Sequence, residues 1–228
     1  PVPAVADTPP VLTPDQSRAV ATITATSGFC CFLLDGVTGS GKTEVYLRCI
    51  RERLDAGQQC LVLVPEIGLT PQLLDRFRRR FPVPMAVLHS GLAEGERLRA
   101  WTAARDGTAQ IVIGTRSAIF TPLPRPGLIV VDEEHDASYK QQDGFRYSAR
   151  DLAVWRARQL GVPLVLGSAT PALESMENAR SGRYERLVMA ERAGTAGQPT
   201  IHLIDVRTHQ PRDGLTQPLV AAIRRHLE

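Results

Sequence analysis

The sequence predicts an α/β fold, a three-layer sandwich in which helices cover both faces of a mainly parallel central sheet. Apolar runs such as "FCCFLLD" (29–35) and "LIVVDE" (128–133) do not alternate with polar residues, which indicates strands buried on both faces. These runs alternate along the chain with amphipathic segments, and such alternation is typical of parallel sheets with right-handed crossovers. With 228 residues, the chain is long enough to bury a core of this kind.

The individual elements follow from the same pattern. The apolar runs predict strands at 29–35, 60–65, 85–89, 110–115, 128–133, 163–168 and 201–206. The stretches between them predict helices near 14–26, 43–56, 70–80, 94–105, 148–160 and 171–180.

Both ends of the chain resemble connecting segments. The first ten residues contain four prolines and little apolar material, so residues 1–10 are predicted to be a linker and residues 11–200 the main domain. Residues 201–228 end in a predicted helix, with Thr216 as its N-cap and Pro218 in its first turn. We expect this segment to lead into a further domain beyond residue 228; a frayed natural terminus is the alternative.

The composition is that of an ordinary globular protein, with 43% hydrophobic and 22% charged residues. The net charge of +3 permits a nucleic-acid partner without predicting one. The four cysteines form no C-x-x-C pair, which favours buried free thiols over a zinc site or disulfides and fits a reducing cytoplasm. No apolar stretch reaches about 18 residues, so we expect no membrane span.

A glycine-rich loop follows the first predicted strand. "GVTGSGKT" (36–43) matches G-x-x-x-x-G-K-[ST] between a strand and a helix, the context that a phosphate-binding loop requires. Its backbone N–H groups are predicted to surround nucleotide phosphates, with Lys42 on the β- and γ-phosphates and Thr43 on Mg²⁺. The predicted nucleotide-binding residues here are Gly36, Val37, Thr38, Gly39, Ser40, Gly41, Lys42, Thr43 and Glu44.

Two acidic residues end a later apolar run. Asp132 and Glu133 follow "LIVV", at the strand end where ligands of α/β sheets collect. Asp132 is predicted to hold Mg²⁺ together with Thr43, and Glu133 to activate the attacking water as a general base. The sequence therefore predicts a P-loop NTPase.

The residues after these acids resemble those of the DExH branch of superfamily-2 helicases, whose motor lobes have a RecA-like fold. "DEEH" (132–135) matches motif II and "SAT" (168–170) matches motif III. The resemblance implies that His135 is part of the catalytic set. It also implies that His135, with Ser168, Ala169 and Thr170, couples nucleotide state to nucleic-acid binding.

Further matches extend this resemblance. Gln16 of "LTPDQ" (12–16) corresponds to an adenine-reading glutamine, while "LVPEIGLTPQ" (63–72) looks like motif Ia and "IVIGTRSAIFTPL" (111–123) like motif Ib. Hydroxyls and helix N-termini in such motifs suit phosphates and carry no base preference. The predicted nucleic-acid contacts in the two motifs are Pro65, Glu66, Thr70, Gln72, Thr115, Arg116 and Ser117.

Aromatic and basic residues share the polar stretch after the acids. Tyr139, Phe145 and Tyr147 lie near Lys140 and Arg146, and aromatic rings in a basic loop can stack on unpaired bases. The alternative is an ordinary loop whose rings are packed in the core. Elsewhere, Trp101 and Trp155 are predicted to be core residues, and "RFRRRF" (76–81) a solvated helix face.

The segment "DEEHDASYKQQDGFRYSARDLA" (132–153) resembles the PriA family of bacterial replication-restart helicases more specifically than helicases in general. The resemblance, which covers roughly residues 11–228, implies an ATP-dependent 3′–5′ DNA helicase that uses Mg²⁺ and acts at stalled forks and in primosome assembly. It also implies partners, namely forked and single-stranded DNA, the single-strand-binding protein and helicase-loading proteins, and a location at the bacterial nucleoid.

In that family a second lobe supplies further arginines to the ATP site and carries zinc-binding cysteines. Because neither set is matched here, residues 11–200 are expected to be lobe 1, which binds nucleotide but hydrolyses it poorly. Two alternatives remain open. The chain can belong to another DExH motor, such as an RNA helicase or a restriction-type translocase, or it can be a nucleotide-gated interaction module that does not unwind.

Overall fold

The central layer of the fold is a parallel sheet, as the unbroken apolar runs predicted. The structure is a computed structural model and describes residues 8–193 and 200–227. In the described part of the chain, the strands of the main sheet are β1 (Cys31–Gly36), β2 (Gln59–Leu63), β3 (Met85–Leu88), β4 (Ile111–Gly114), β5 (Pro126–Asp132), β8 (Leu164–Ser168) and β9 (Glu185–Met189). A short antiparallel hairpin adds β6 (Lys140–Gln141) and β7 (Tyr147–Ser148).

The helices lie close to their predicted positions. Their bounds are α1 (Pro14–Ala25), α2 (Lys42–Asp55), α3 (Pro71–Arg80), α4 (Glu94–Arg105), α5 (Ala149–Leu160), α6 (Leu173–Arg180) and α7 (Gln217–Leu227). None of the helices in the described ranges is long and apolar enough to cross a membrane.

The sheet order explains where the functional residues meet. The strands lie in the order β3-β4-β2-β5-β8-β1-β9, and every adjacent pair is parallel. All carboxyl ends therefore lie on one edge of the sheet, where Asp35 pairs with Ser168 and Asp132 with Gly167. Helices α1 to α3 pack on one face and α4 to α6 on the other, which confirms the three-layer α/β prediction.

The chain divides into two compact units, Pro1–Gly194 and Thr195–Glu228. In the second unit, the strand predicted at 201–206 is absent, since residues 201–205 have no regular structure and Ile201 and Leu203 are exposed. An apolar alternation forms a strand only where a neighbouring strand pairs with its backbone. The linker predicted at 1–10 lies outside the described residues except for 8–10, which are exposed and irregular.

Two predictions about aromatic side chains are wrong. Trp155 is 62% exposed on α5 and Trp101 is 37% exposed on α4, so neither belongs to the core. In the segment 76–81, Arg78 and Arg79 are exposed as predicted, whereas Arg80 is buried. All four thiols are free, and three of them are buried as predicted, whereas Cys30 is only partly buried. Burial raises the pKa of Cys49 to about 12.

Candidate nucleotide site and nucleic-acid surface

The glycine loop lies between β1 and α2, as predicted. Gly39 and Gly41 have φ angles of 82° and 83°, a left-handed conformation that glycine adopts without steric cost. A Cβ atom on Gly41 would lie 2.3 Å from the Gln16 amide nitrogen. The loop can thus bring its backbone close to a ligand only because these positions are glycine. Val37 and Thr38 are exposed at its tip.

The buried polar groups of this loop suit an anion. Lys42 is buried and its Nζ donates to the carbonyl of Gly36 at 2.8 Å. The Ser40 hydroxyl is also buried and has no hydrogen-bond partner among the described residues. Unpartnered buried hydroxyls are uncommon in folded proteins, and a bound phosphate would satisfy this one.

Gln16 contacts the loop directly. Its amide nitrogen donates to the carbonyl of Ser40 at 2.9 Å, while its amide oxygen accepts from the backbone N–H of Thr13 at 2.9 Å. Thr13 caps α1 in return, so a capping box holds Gln16 in place. The adenine-reading role of Gln16 stays a prediction, and the observed contact places this side chain at the edge of the phosphate loop.

Asp132 is held by a tyrosine that the sequence analysis did not single out. Tyr46 Oη donates to Asp132 Oδ1 at 3.0 Å. The tyrosine can reach this carboxylate because the adjoining strand has Gly167, where a Cβ would lie 1.6 Å from the Tyr46 oxygen. Burial raises the pKa of Asp132, although the Tyr46 hydrogen bond and Lys42 favour its ionised form. A divalent cation would stabilise that ionised carboxylate, so the site fits the predicted Mg²⁺.

Glu133 has an unusual backbone. Its φ angle is 46°, and it is one of two non-glycine residues with positive φ in the described ranges. A left-handed conformation at such a residue costs about 1–3 kcal/mol and is found at functional sites. Its carboxylate is partly exposed beside the nucleotide cleft, 3.7 Å from Nδ1 of His135. A carboxylate in this position can accept a proton from water.

Glu134 cannot replace Glu133 as the base, because its side chain is buried and turned toward α6. It accepts hydrogen bonds from the backbone N–H of Ala172 and the hydroxyl of Ser175, both at 2.7 Å, and pairs with Arg150 at 3.3 Å. Glu134 therefore anchors the first turn of α6 to the end of β5.

His135 connects motif II to motif III. Its Nδ1 lies 2.7 Å from the hydroxyl of Ser168, and that hydroxyl accepts from the backbone N–H of Thr170 at 3.0 Å. Ser168 is buried at the end of β8, while Ala169 and Thr170 form the turn that follows. Two motifs separated in the chain by the β6–β7 hairpin and α5 are thus joined by one side-chain contact.

The phosphate loop, Gln16, Asp132 and Glu133 line one cleft of about 430 Å³. Its lining includes Gln16, Thr38, Gly39, Gly41, Lys42, Thr43, Glu44, Arg76, Asp132 and Glu133. The Glu44 carboxylate does not serve as a ligand-binding group here, because Arg80 (2.5 Å) and Arg48 (2.9 Å) already neutralise it. An anion at this position without those two arginines would repel phosphates.

Two of the predicted motif Ia residues, Thr70 and Gln72, line a second groove next to the nucleotide cleft. Thr70 caps α3 by accepting from the N–H of Leu73 at 3.2 Å, and Gln72 is exposed one residue into the helix. Pro65 is buried and Glu66 exposed at the turn between β2 and α3. Arg76 borders both this groove and the nucleotide cleft, so one guanidinium lies between the two predicted binding regions.

Motif Ib supports the segment that leads into the hairpin. Thr115 is buried at the end of β4, and Ser117 is exposed. Arg116 donates to the carbonyl of Ser138 at 3.0 Å and to that of Lys140 at 3.2 Å. Its guanidinium is therefore partly used in holding the segment that leads into the β6–β7 hairpin.

The aromatic residues of the hairpin region do not share one environment. Tyr139 is 2% exposed and donates to the carbonyl of Asp132 at 2.6 Å, so its predicted role as a base-stacking residue is wrong. Phe145 is 78% exposed at the hairpin tip. Tyr147 lies between Phe145 and Phe120, with ring centroids 6.0 Å and 5.0 Å away. Lys140 and Arg146 border the open side of the hairpin.

Comparison with known proteins agrees with this geometry. The model of the DEAD/DEAH box helicase family matches residues 13–179. The chain therefore belongs to the DEAD/DEAH box helicase family. Among its relatives is the replication restart protein PriA of Haemophilus influenzae, which is 51% identical over 217 residues. That alignment covers 95% of this chain and 30% of the PriA protein, so the chain spans less than a third of the relative's length.

Solved structures show the same fold. A structure of RecG bound to a three-way DNA junction aligns with a TM-score of 0.59 and 25% identity, over 84% of this chain and 25% of RecG. The yeast DEAD-box splicing factor Prp28 aligns with a TM-score of 0.60 and 15% identity, over 82% of this chain and 48% of that chain. The RecA-like fold prediction and the resemblance to the PriA family are both confirmed.

Sequence reasoning missed three residues of the site. Tyr46 lies one helical turn after Thr43, and that spacing on α2 could have indicated a side chain facing the same cleft. Phe120 was visible within motif Ib as an apolar residue in a polar turn. Arg150 carries no comparable signal, since only the fold brings it to Glu134.

Proposed function

We propose that this chain is the ATP-binding motor lobe of an ATP-dependent DNA helicase of the PriA type. The observation that carries the proposal is the convergence of the phosphate loop, Asp132–Glu133 and Ser168 on one sheet edge. A general nucleotide-binding domain needs the first two features. The hydrogen bond between His135 and Ser168 adds the contact between motifs that a nucleotide-driven motor requires.

The residues of the cleft divide the chemistry of ATP hydrolysis among them. The loop N–H groups and Lys42 bind the phosphates, and Thr43 and Asp132 would hold Mg²⁺. The metal ion, when bound, neutralises charge on the phosphate oxygens. Glu133 orients a water molecule and accepts its proton as that water attacks the terminal phosphorus. Tyr46 keeps the Asp132 carboxylate in position through the 3.0 Å hydrogen bond.

This 228-residue chain is expected to bind nucleotide well and to hydrolyse it slowly. In related motors, arginines from a second lobe complete the site, and such arginines contribute about 10³–10⁵ in rate where measured. The whole helicase activity thus belongs to a longer protein, in keeping with the 30% of the Haemophilus relative that the chain spans.

The finer roles rest on likeness to the PriA relatives. They comprise 3′–5′ movement, action at stalled forks, binding of branched and single-stranded DNA, and a location at the bacterial nucleoid. Contacts with the single-strand-binding protein and with primosome or helicase-loading proteins belong to the same proposal, as does zinc in a second lobe. The 51% identity across 95% of this chain is what supports them.

The proposal is tested by titrating the chain with Mg·ADP, Mg·GDP and short single strands of DNA and RNA. We expect ADP to bind more tightly than GDP because of Gln16, and DNA to bind at least as tightly as RNA. Absence of nucleotide binding contradicts the proposal. Clear preference for RNA would instead support an RNA-helicase motor on the same fold.

A further inference from the structure

A groove at the β3–β4 end of the sheet lies outside the nucleotide cleft. Its volume is about 180 Å³. His89 follows β3 directly, and Ser117 and Phe120 lie in the turn after β4, so the groove opens on the same edge of the sheet as the ATP site. Trp101 of α4 closes its side. The groove thus continues the surface on which the motif Ib residues lie.

Its walls are aromatic and accessible. Phe120 is 55% exposed, although aromatic side chains of this size usually bury most of their surface, and Trp101 keeps 37% of its surface exposed. The other side of Phe120 contacts Tyr147 edge to face at 5.0 Å, and Tyr147 leads on to Phe145. The groove is therefore one end of a row of aromatic rings that runs to the tip of the β6–β7 hairpin.

The polar groups in the groove can bind the edge of a base. His89 Nδ1 accepts from the backbone N–H of Gly91 at 3.2 Å. A neutral His89 ring therefore carries its proton on Nε2, which remains a donor. The exposed hydroxyl of Ser117 can donate or accept. One ring donor and one adaptable hydroxyl between aromatic walls suit a nucleobase, whose faces are apolar and whose edges are polar.

The charge around the groove favours a polyanion. Arg97 lines the groove while donating to the carbonyls of Ser90 and Leu92. Arg105 lies over the Trp101 ring at 5.4 Å outside the groove lining, where it pairs with Asp106 at 2.9 Å. Among the described residues that line the groove, none is acidic. An acidic peptide would find these cations as well, but it would leave the flat aromatic walls without planar partners.

We infer that this groove binds one unpaired base of a single DNA strand whose phosphates pass along the motif Ib turn. The inference rests on the proposed function and extends it, because phosphate contacts alone would hold the strand without engaging its bases. Stacking on Trp101 and Phe120 tolerates any sequence, since every base has a flat face. The groove and the hairpin would then contact successive unstacked bases.

The two tryptophans of the chain allow a matched test. Trp155→Phe leaves Trp101 as the sole indole, and Trp101→Phe leaves Trp155, which is 62% exposed on α5 and does not line the groove. Each variant is titrated with oligothymidylate while indole emission is recorded, and strand binding is followed independently by the anisotropy of a labelled strand. We expect the strand to quench Trp101 in parallel with binding and to leave Trp155 unchanged.

Affinity provides a second readout. Trp101→Ala and, separately, Phe120→Ala should each weaken strand binding about tenfold, a change of about 1.4 kcal/mol, whereas Trp155→Ala should not. Phe120 is the safeguard against misfolding of the Trp101 variant, because its exposed ring can be removed with little loss of packing.

The outcomes separate the groove from the motor function. Full strand affinity in both groove variants, or equal quenching of both tryptophans, overturns the inference and leaves the proposed function intact. Binding of Mg·ADP without any strand binding also overturns the inference while the nucleotide site stands. If the unmodified chain bound neither Mg·ADP nor a DNA strand, the proposed function itself would be contradicted.

Discussion

His135 and Ser168 are joined by a 2.7 Å contact between the imidazole Nδ1 and the hydroxyl Oγ. The histidine lies two residues after the proposed general base, and the serine begins the turn of motif III. Since the same hydroxyl accepts from the N–H of Thr170, we propose that movement of His135 would reach the backbone of that turn. The contact gives a physical form to the coupling that the two motifs imply.

Ser168→Ala removes this connection and should uncouple hydrolysis from strand binding. In a full-length PriA-type protein, we expect basal ATP hydrolysis to continue and its stimulation by single-stranded DNA to fall, which a coupled ATPase assay measures. Ser175→Ala is the matched control, because that hydroxyl is also buried but contacts Glu134 and not His135. Equal stimulation in the Ser168 variant and the unmodified protein would contradict the coupling role.

Lys42→Ala should remove most nucleotide binding by this chain, because alanine leaves only backbone donors facing the phosphates. Isothermal titration with Mg·ADP measures the change. The chain has only two lysines, and the other is Lys140, which is exposed on the hairpin. Lys140→Ala therefore serves as the control, because it removes the same positive charge outside the nucleotide cleft. Equal ADP affinity in the Lys42 variant and this control would show that the phosphate-loop assignment is wrong.

Asp132→Asn should stabilise the ligand-free protein while weakening Mg·nucleotide binding. The pKa of Asp132 is raised by burial, so the folded state holds this proton more tightly than the unfolded chain. Stability is therefore lost as pH rises from the ordinary aspartate pKa, about 3.9, to the raised folded value, and it stays lower above that pH. Asparagine keeps an oxygen for Tyr46 and removes the charge.

Thermal melts of both proteins between acidic and neutral pH measure how the difference in their stability changes with pH. The advantage of the Asp132→Asn variant should grow as pH rises and should reverse when Mg·ADP is added to both proteins. A variant that is less stable than the unmodified protein at neutral pH without ligand would contradict the argument.

Glu133 permits a test of backbone strain apart from chemistry. At a φ of 46°, alanine keeps the steric conflict of Cβ and glycine has none. We expect Glu133→Gly to be more stable than Glu133→Ala by about 1 kcal/mol in urea unfolding, the reverse of the usual order. If the alanine variant is the more stable, the left-handed conformation is not strained.

For the chemistry itself, Glu133→Gln keeps the size of the side chain and removes the base. In a full-length PriA-type protein, turnover should fall about 10²-fold or more while nucleotide binding persists. Quenched-flow or steady-state ATPase measurements decide the outcome. Near-normal turnover would place the proton acceptor elsewhere, and not at Glu134, whose carboxylate is fully used by α6 and Arg150.

The hairpin aromatics should respond differently to truncation. Phe145→Ala removes an exposed ring, so we expect a change in stability within about 0.5 kcal/mol but a clear loss of DNA-stimulated hydrolysis. Tyr139→Ala removes a buried ring and should cost about 3–5 kcal/mol. Thermal melts and a DNA-stimulated ATPase assay on the same variants separate the two roles. Full stimulation in a well-folded Phe145 variant would exclude base sensing at the tip.

Much of this protein follows from local pattern. The strand β1, the loop to Thr43 and the start of α2 were predicted because a phosphate loop needs glycine at fixed spacing between a buried strand and a helix. The strand ending at Asp132 was predicted because an unbroken apolar run precedes this residue. Such features depend on neighbours in sequence, and local propensity and periodicity report on those directly.

The predictions that are wrong concern features that depend on residues distant in the sequence. β9 is an edge strand in which three of five residues are exposed, so its sequence lacks the apolar run of the central strands. Residues 201–206 have apolar residues interrupted by His202 and Asp205 and form no regular structure at 201–205. Likewise, Tyr139 and Phe145 look equivalent in sequence, yet only the first reaches the carbonyl of Asp132. Whether an aromatic side chain in a loop is buried depends on which other residues pack against it, and those residues are brought together only in the folded structure.

The sequence by itself determined the kind of chemistry, because Lys42, Asp132 and Glu133 are the residue types that phosphate transfer needs. The tertiary structure alone decided which groups touch. Parallel pairing of β5 with β8 brought His135 to Ser168, and a missing Cβ at Gly167 admitted Tyr46 to Asp132. Contacts of this kind join residues 33 and 86 positions apart in the chain, where no sequence spacing can indicate them.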